Sequence, residues 1–137
     1  MNASLRLSRS DAFITEQFAY FLDQLQGIRD GEESLLDRTM VLFGSGMSYG
    51  HSHGNANLPT IVAGGRALGF KHGQHLDYNL PKLSAYDLAN ASAHYGLCHK
   101  PVNDQAHLSN LLLTMLQKME VNSEKFVDSL GPVSELV

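Results

Sequence analysis

Two short apolar runs frame this chain of 137 residues, TMVLF at 39–43 and LPTIVA at 58–63, and each is followed by glycine. Neither run alternates polar with apolar positions, which is how strands buried on both faces of a parallel sheet read. Between them Gly44, Gly46, Gly50 and Gly54 are interspersed with Ser45, Ser48, Ser52, His51 and His53, so a polar, glycine-rich loop leaves the end of the first run. Ligands bind at the carboxyl ends of strands in open α/β sheets, because loops, helix N-termini and unpaired backbone groups converge there. This loop is therefore the first candidate site, with Ser45 and Ser48 as turn residues or contacts to a small anionic ligand.

The flanking segments read as helices. Over 10–25 the residues Ile14, Phe18, Phe21, Leu22 and Leu25 recur at helical spacing, Ser8 and Asp11 have the spacing of a capping box, and Gly27 is a stop. IRDGEES at 28–34 reads as a polar loop. Residues 79–105, with Pro81 and Pro101 near the ends and a short helix expected at 84–93, read as an excursion from the core. A second helix is expected over 108–119, where Leu108, Leu111, Leu112, Met115 and Met119 make a stripe that Leu113 and Leu116 widen, with Asn103 or Asp104 as its cap. The tail from Ser123 is expected to fray. The fold class that follows is α/β, a single domain over 1–137 with helices packed on a short, mainly parallel sheet.

Charge and composition exclude some partners. A net charge of -4 gives no basic field for nucleic acid. No run approaches the ~20 apolar residues of a membrane span, and MNASLRLSRSDAF at 1–13 has no apolar signal core. The single cysteine, Cys98, has no internal disulfide partner, so compartment is not legible. Both apolar runs expect neighbours at their edges, and an unpaired sheet edge invites self-association.

Four of the seven histidines fall in two short pairs, His51 with His53 and His72 with His75. Zinc or another divalent metal needs three or four converging N, S or O donors, which two loop pairs would supply; the competing reading is histidines that bond backbone carbonyls or face water. Cys98 with His94 and His99 is a weaker set, since it lacks a second sulfur. The turn at 44–47 lacks the G-x-S-x-G spacing of a nucleophile elbow, and Gly64, Gly65 and Gly69 precede no clear helix, which argues against a dinucleotide site.

Five segments, EQFAYFLDQLQ (16–26), LLDRTMVLFGSGMSYG (35–50), HSHGNANLPTIVAGG (51–65), GFKHGQHLDY (69–78) and LSNLLLTMLQKM (108–119), together resemble the HXXSHH family, also known as domain of unknown function 1552. The resemblance implies that the chain is the C-terminal part of a longer, exported type of protein whose His-rich motif lies upstream. More distantly the segments resemble the alkaline phosphatase-like superfamily, which implies that fold and places His53 on a metal-ligand position. The Asp-His metal pair of that superfamily is replaced here by Gly44, Ser45, Gly46 and Met47. Two functions follow from the resemblance: a domain that is non-catalytic as this isolated chain, or, at full length, a metal-dependent hydrolase of phosphate or sulfate esters.

Overall fold

The computed structural model describes residues 3–48, 53–78 and 98–137. In chain order these form helix α1 (Ala3–Gly27), strands β1 (Arg29–Asp30) and β2 (Glu33–Ser34), a 3-10 turn (Leu36–Arg38), strands β3 (Met40–Gly44) and β4 (Thr60–Gly64), a second 3-10 turn (Arg66–Leu68), helix α2 (Leu108–Lys118) and a third 3-10 turn (Ser134–Leu136). Among the described residues no helix is long and apolar enough to cross a membrane.

The expected helices on a mainly parallel sheet are not what forms. The described strands make two small sheets of two strands each, β1 with β2 and β3 with β4. Both are antiparallel. In the second sheet Gly44 lies against Pro59 and Thr60 while Gly64 lies against Thr39, so β3 and β4 run in opposite directions. A parallel pair needs a crossover of a dozen or more residues, usually a helix. The described parts of the 45–59 connection hold no helix, and its glycines let the chain turn straight back. Nor does the lack of alternation mean burial on two faces, since Leu42 and Ile61 are substantially exposed.

The IRDGEES segment is likewise more ordered than a loop. Arg29 pairs with Ser34 and Asp30 with Glu33 around a two-residue turn. Gly31 has φ 67 at the first central position, the conformation that a type II′ hairpin turn requires there.

The described residues divide into two compact units, Met1–Phe43 with Val62–Phe70, and Gly44–Ile61 with Lys71–Val137. In the first, α1 begins well before Ser10, and Ser8 sits inside it, donating its hydroxyl to the Leu5 carbonyl (3.1 Å) instead of capping. Phe18 of α1 stacks on Phe43 of β3 at 4.3 Å between ring centroids and 12° between planes. Such a pair contributes about 0.5–1.5 kcal/mol beyond its buried area. Phe70 closes the same unit, 4% exposed, against Gly65.

Ser34 and Asp37 brace the first 3-10 turn of that unit reciprocally. The Ser34 amide and hydroxyl both donate to Asp37 Oδ2 (3.0 and 2.8 Å), and the Asp37 amide donates to Ser34 Oγ (3.2 Å). Arg66 Nε donates to the other carboxylate oxygen at 2.9 Å. Donation from the Arg66 guanidinium, then from Ser34, holds the Asp37 carboxyl far below the usual carboxylate range. A depressed carboxyl stabilises the fold above its unfolded pKa, ~3.9, and that contribution disappears as pH falls through the folded value. Asp37→Asn is therefore expected to lower the thermal midpoint at pH 7. Its midpoint should fall less steeply than wild type below about pH 4, so that the two curves converge in acid. Parallel curves across that range would show that this carboxylate does not carry the acid sensitivity.

In the second unit α2 buries Ser109, Leu113 and Thr114. This face differs from the expected stripe: Leu108 is 50% and Met119 62% exposed. Neither Asn103 nor Asp104 caps α2. The N-cap position is the extended His107, with no side-chain cap, while Asn103 Oδ1 accepts from the Gln105 amide (2.9 Å). The tail does not fray. Asn110 Oδ1 accepts the Leu130 amide (2.8 Å), Thr114 Oγ1 accepts the Val133 amide (2.7 Å), and Gln117 donates to the Ser123 carbonyl (2.9 Å). Polar side chains of one α2 face thus satisfy the backbone of a segment without regular ladders.

Candidate functional site

The glycine loop is built from its own hydrogen bonds outward. Where β3 ends, Ser45 Oγ donates to the Met47 carbonyl (2.8 Å) and accepts the Met47 amide (3.2 Å), a side-chain turn of the kind serine favours. Ser48 donates both its amide (2.8 Å) and its hydroxyl (3.2 Å) to the Gly54 carbonyl. His53, just before that carbonyl, is exposed and has φ 52. Asn57 is also left-handed, with φ 54. Histidine and asparagine are among the few non-glycine residues that tolerate this region.

The loop then docks on the turn in which the helical residues Cys98 and His99 end. Ala56 donates its amide to the Cys98 carbonyl (3.1 Å). Asn57 donates Nδ2 to the Lys100 carbonyl (3.2 Å) and accepts the Val102 amide at Oδ1 (3.0 Å), clamping the turn from both sides. Gly54 passes so close to Cys98 that a Cβ there would stand 2.5 Å from Cys98 Cβ and from its carbonyl oxygen. Cys98 itself has no solvent exposure. A thiol sealed in this way is not available as a nucleophile.

The expected site residues separate accordingly. Ser45, Ser48 and His53 share the loop, and the fold brings that loop to Cys98 and Lys100. His72 and His75 lie on the exposed segment after Phe70. His51 and His94 lie outside the described residues. Among the described residues no group of three or more His, Cys, Asp or Glu side chains gathers as a metal requires.

A second polar cluster went unread in the sequence. Asp128 Oδ2 lies 3.1 Å from His107 Nδ1, and His107 Nε2 lies 2.7 Å from the Asp104 carbonyl oxygen. The Ser109 hydroxyl is buried beside this cluster without a hydrogen-bond partner among the described residues. The nearby Ser109 hydroxyl first, then the backbone at Asp128 and His107, hold the Asp128 carboxyl below its usual range. Serine, histidine and aspartate are all present, but not as a relay. One ring nitrogen of His107 meets the Asp128 carboxylate and the other meets the Asp104 carbonyl, so neither is turned to the Ser109 hydroxyl as a base. The cluster fastens the tail to the start of α2. The clamp made by Asn57 and the close contact of Gly54 with Cys98 were also missed; free cysteine's strong tendency to be buried was the available signal.

No protein-family model, no curated protein and no solved structure matches the chain. The functional reading rests on the geometry of its own residues.

Proposed function

We propose that this chain is a non-catalytic binding domain of the HXXSHH type, with exposed His53 and the described residues at 45–48 as its presented surface. The observation that carries this reading is the commitment of the two serine hydroxyls among the loop's described residues. Ser45 and Ser48 donate theirs to backbone carbonyls of the loop itself, at 2.8 and 3.2 Å. A hydroxyl held by a carbonyl, without a base to take its proton, is a brace and not a nucleophile. Ser45 and Ser48 therefore shape the loop. Its outward chemistry comes from His53 and from backbone groups, and residues 44–57 contain no acidic side chain that would repel a small anion. The in-order resemblance of five segments to HXXSHH members supports the family. The net charge of -4 argues against nucleic acid as the ligand.

The test sets binding against turnover. Inorganic phosphate, used as a probe anion, is expected to shift amide resonances of the described loop residues and to leave those of α2 in place. Chromogenic phosphate and sulfate esters, offered with zinc, are expected to show no steady hydrolysis above buffer. Zinc retained after dialysis is expected to stay below about a tenth of an equivalent. Turnover that disappears in His53→Ala, together with near-stoichiometric zinc, would overturn the proposal in favour of a metal-dependent hydrolase.

A further inference from the structure

We infer that the turn at 126–129 is a proton-operated latch, closed on the start of α2 while His107 carries a charge and released as that charge is lost. This inference is independent of the loop at 45–57. His107 meets an acceptor at each ring nitrogen: Nδ1 lies 3.1 Å from Asp128 Oδ2, and Nε2 lies 2.7 Å from the Asp104 carbonyl oxygen. A carboxylate and a carbonyl only accept, and a neutral imidazole has a single N–H. The imidazolium alone donates to both. Without its second proton the ring turns a lone pair on one of the two oxygens, and that contact is given up.

The groups around the ring leave His107 as the titrating member. Asp128, on the tail, has its carboxyl held below the usual range, so it stays charged wherever histidine titrates. Asp104, on the turn before α2, meets the ring through its carbonyl, and its carboxylate accepts from Gln105 Nε2 at 3.1 Å. Glu124 and Lys125, which precede the turn in the chain, make no hydrogen bond or ion pair with the ring among the described residues. The positive end of α2 works against a charge on its N-cap residue, so the proton rests on the two acceptors alone.

What the latch holds shut is a strained turn. Val127 has φ 53, in the left-handed region that a β-branched side chain avoids, and it is 76% exposed, so packing does not keep it there. Its neighbours do. Phe126 donates its amide to Ser129 Oγ (2.8 Å), Ser129 donates its amide back to the Phe126 carbonyl (2.9 Å), and Asp128 reaches His107. Just past the turn Leu130 donates its amide to Asn110 Oδ1 of α2 (2.8 Å). Loss of the His107 tie lets the strain at Val127 open the turn and draw Leu130 off Asn110. A histidine that gains acceptors on folding stabilises the closed form at low pH, and that contribution is lost as pH rises.

Hydrogen exchange of the Ser129 and Leu130 amides, followed by NMR on the whole chain and corrected for intrinsic base catalysis, reads the latch. Between about pH 5.5 and 8 exchange at these two amides should accelerate by at least about tenfold, while amides in the middle of α2 keep their protection. His107→Asn should exchange at the faster level across the whole range, and asparagine suits an N-cap, so α2 is kept. Asp128→Ala removes the latch from the other side and should behave alike, so the test stands if either variant fails to fold. Val127→Gly should do the opposite. Glycine takes the left-handed region freely and no packing is lost at this exposed site, so the acceleration should shrink to less than about threefold.

A wild type whose corrected exchange at Ser129 and Leu130 does not change with pH would overturn the inference. So would an acceleration that survives in His107→Asn. A Val127→Gly protein that opens as far as the wild type would overturn strain as the force that drives the turn apart.

Discussion

Gly64→Ala is expected to cost about 3–5 kcal/mol, a large part of the 5–15 kcal/mol that holds a typical domain together. Two effects add. Gly64 has φ 74, where a Cβ meets its own backbone at a cost of ~1–2 kcal/mol. The same Cβ would also be driven into the Thr39 carbonyl oxygen, and would stand 2.6 Å from the Leu36 carbonyl oxygen. Both obstacles are backbone, and the Leu36 carbonyl already accepts the Gly65 amide at 2.9 Å, so neither moves without opening the turn.

Two other glycines separate the contributions. Gly31 has φ 67 with nothing within 4 Å of its missing Cβ, so Gly31→Ala should show the conformational cost alone, about 1 kcal/mol. Gly65 has φ 73 and would meet Met40 Cγ at 2.9 Å, a flexible side chain that can yield, so Gly65→Ala should fall between the two. Urea or thermal unfolding of the three variants gives the ranking. If Gly64→Ala is no worse than Gly31→Ala, β4 does not approach the first 3-10 turn as described.

At Gly54 the obstruction is purely steric. Gly54→Ala is expected to cost about 3 kcal/mol, the upper end of the usual range for overpacking. Its Cβ would stand 2.5 Å from Cys98 Cβ and from the Cys98 carbonyl oxygen, and 2.8 Å from Cys98 Cα. Because much of the obstruction is backbone, trimming the partner in Cys98→Ala should not rescue it. The thiol provides a local readout: in the wild type Cys98 has no exposure and should react slowly with an aromatic disulfide reagent. In Gly54→Ala the loop is pushed off the turn, and labelling should be at least tenfold faster under native conditions. An unchanged labelling rate would mean that the loop and the Cys98 turn are not in contact.

What was legible in the sequence was whatever depends on neighbours within a turn or two. The start of α2 at Leu108 follows from its spacing, and β3 and β4 lie within one or two residues of the apolar runs. Strand direction was not legible. TMVLF and TIVAG look alike whether the chain returns through a helix or folds straight back, and the choice depends on pairing across residues 45–59. The wrong face of α2 was expected for a related reason. The stripe through Leu108 and Met119 is more apolar, but the tail brings backbone amides that only Asn110 and Thr114 can receive, and so it covers the Leu113 side.

At the site, residue types pointed to Ser45, Ser48 and His53, and the structure puts all three on one loop. That the two hydroxyls turn inward was hidden, because a serine in a glycine loop reads the same whether it meets a ligand or its own backbone. The glycine of the first hairpin was readable and was passed over: Gly31 at the first central position is what a two-residue II′ turn between Asp30 and Glu33 requires.

The two sets of ties in the second unit differ in how much chain each must draw together. Val133 reaches Thr114 across 19 positions, whereas Val102 reaches Asn57 across 45. Ring-closure entropy grows with the logarithm of that separation, which makes the longer closure about 0.8 kcal/mol less favourable before any contact is counted. The wrap of the tail around α2 is thus the closure a collapsing chain reaches first. The Asn57 clamp, which ties the base of the loop carrying His53 to Lys100 and Val102, is the costlier closure of the two.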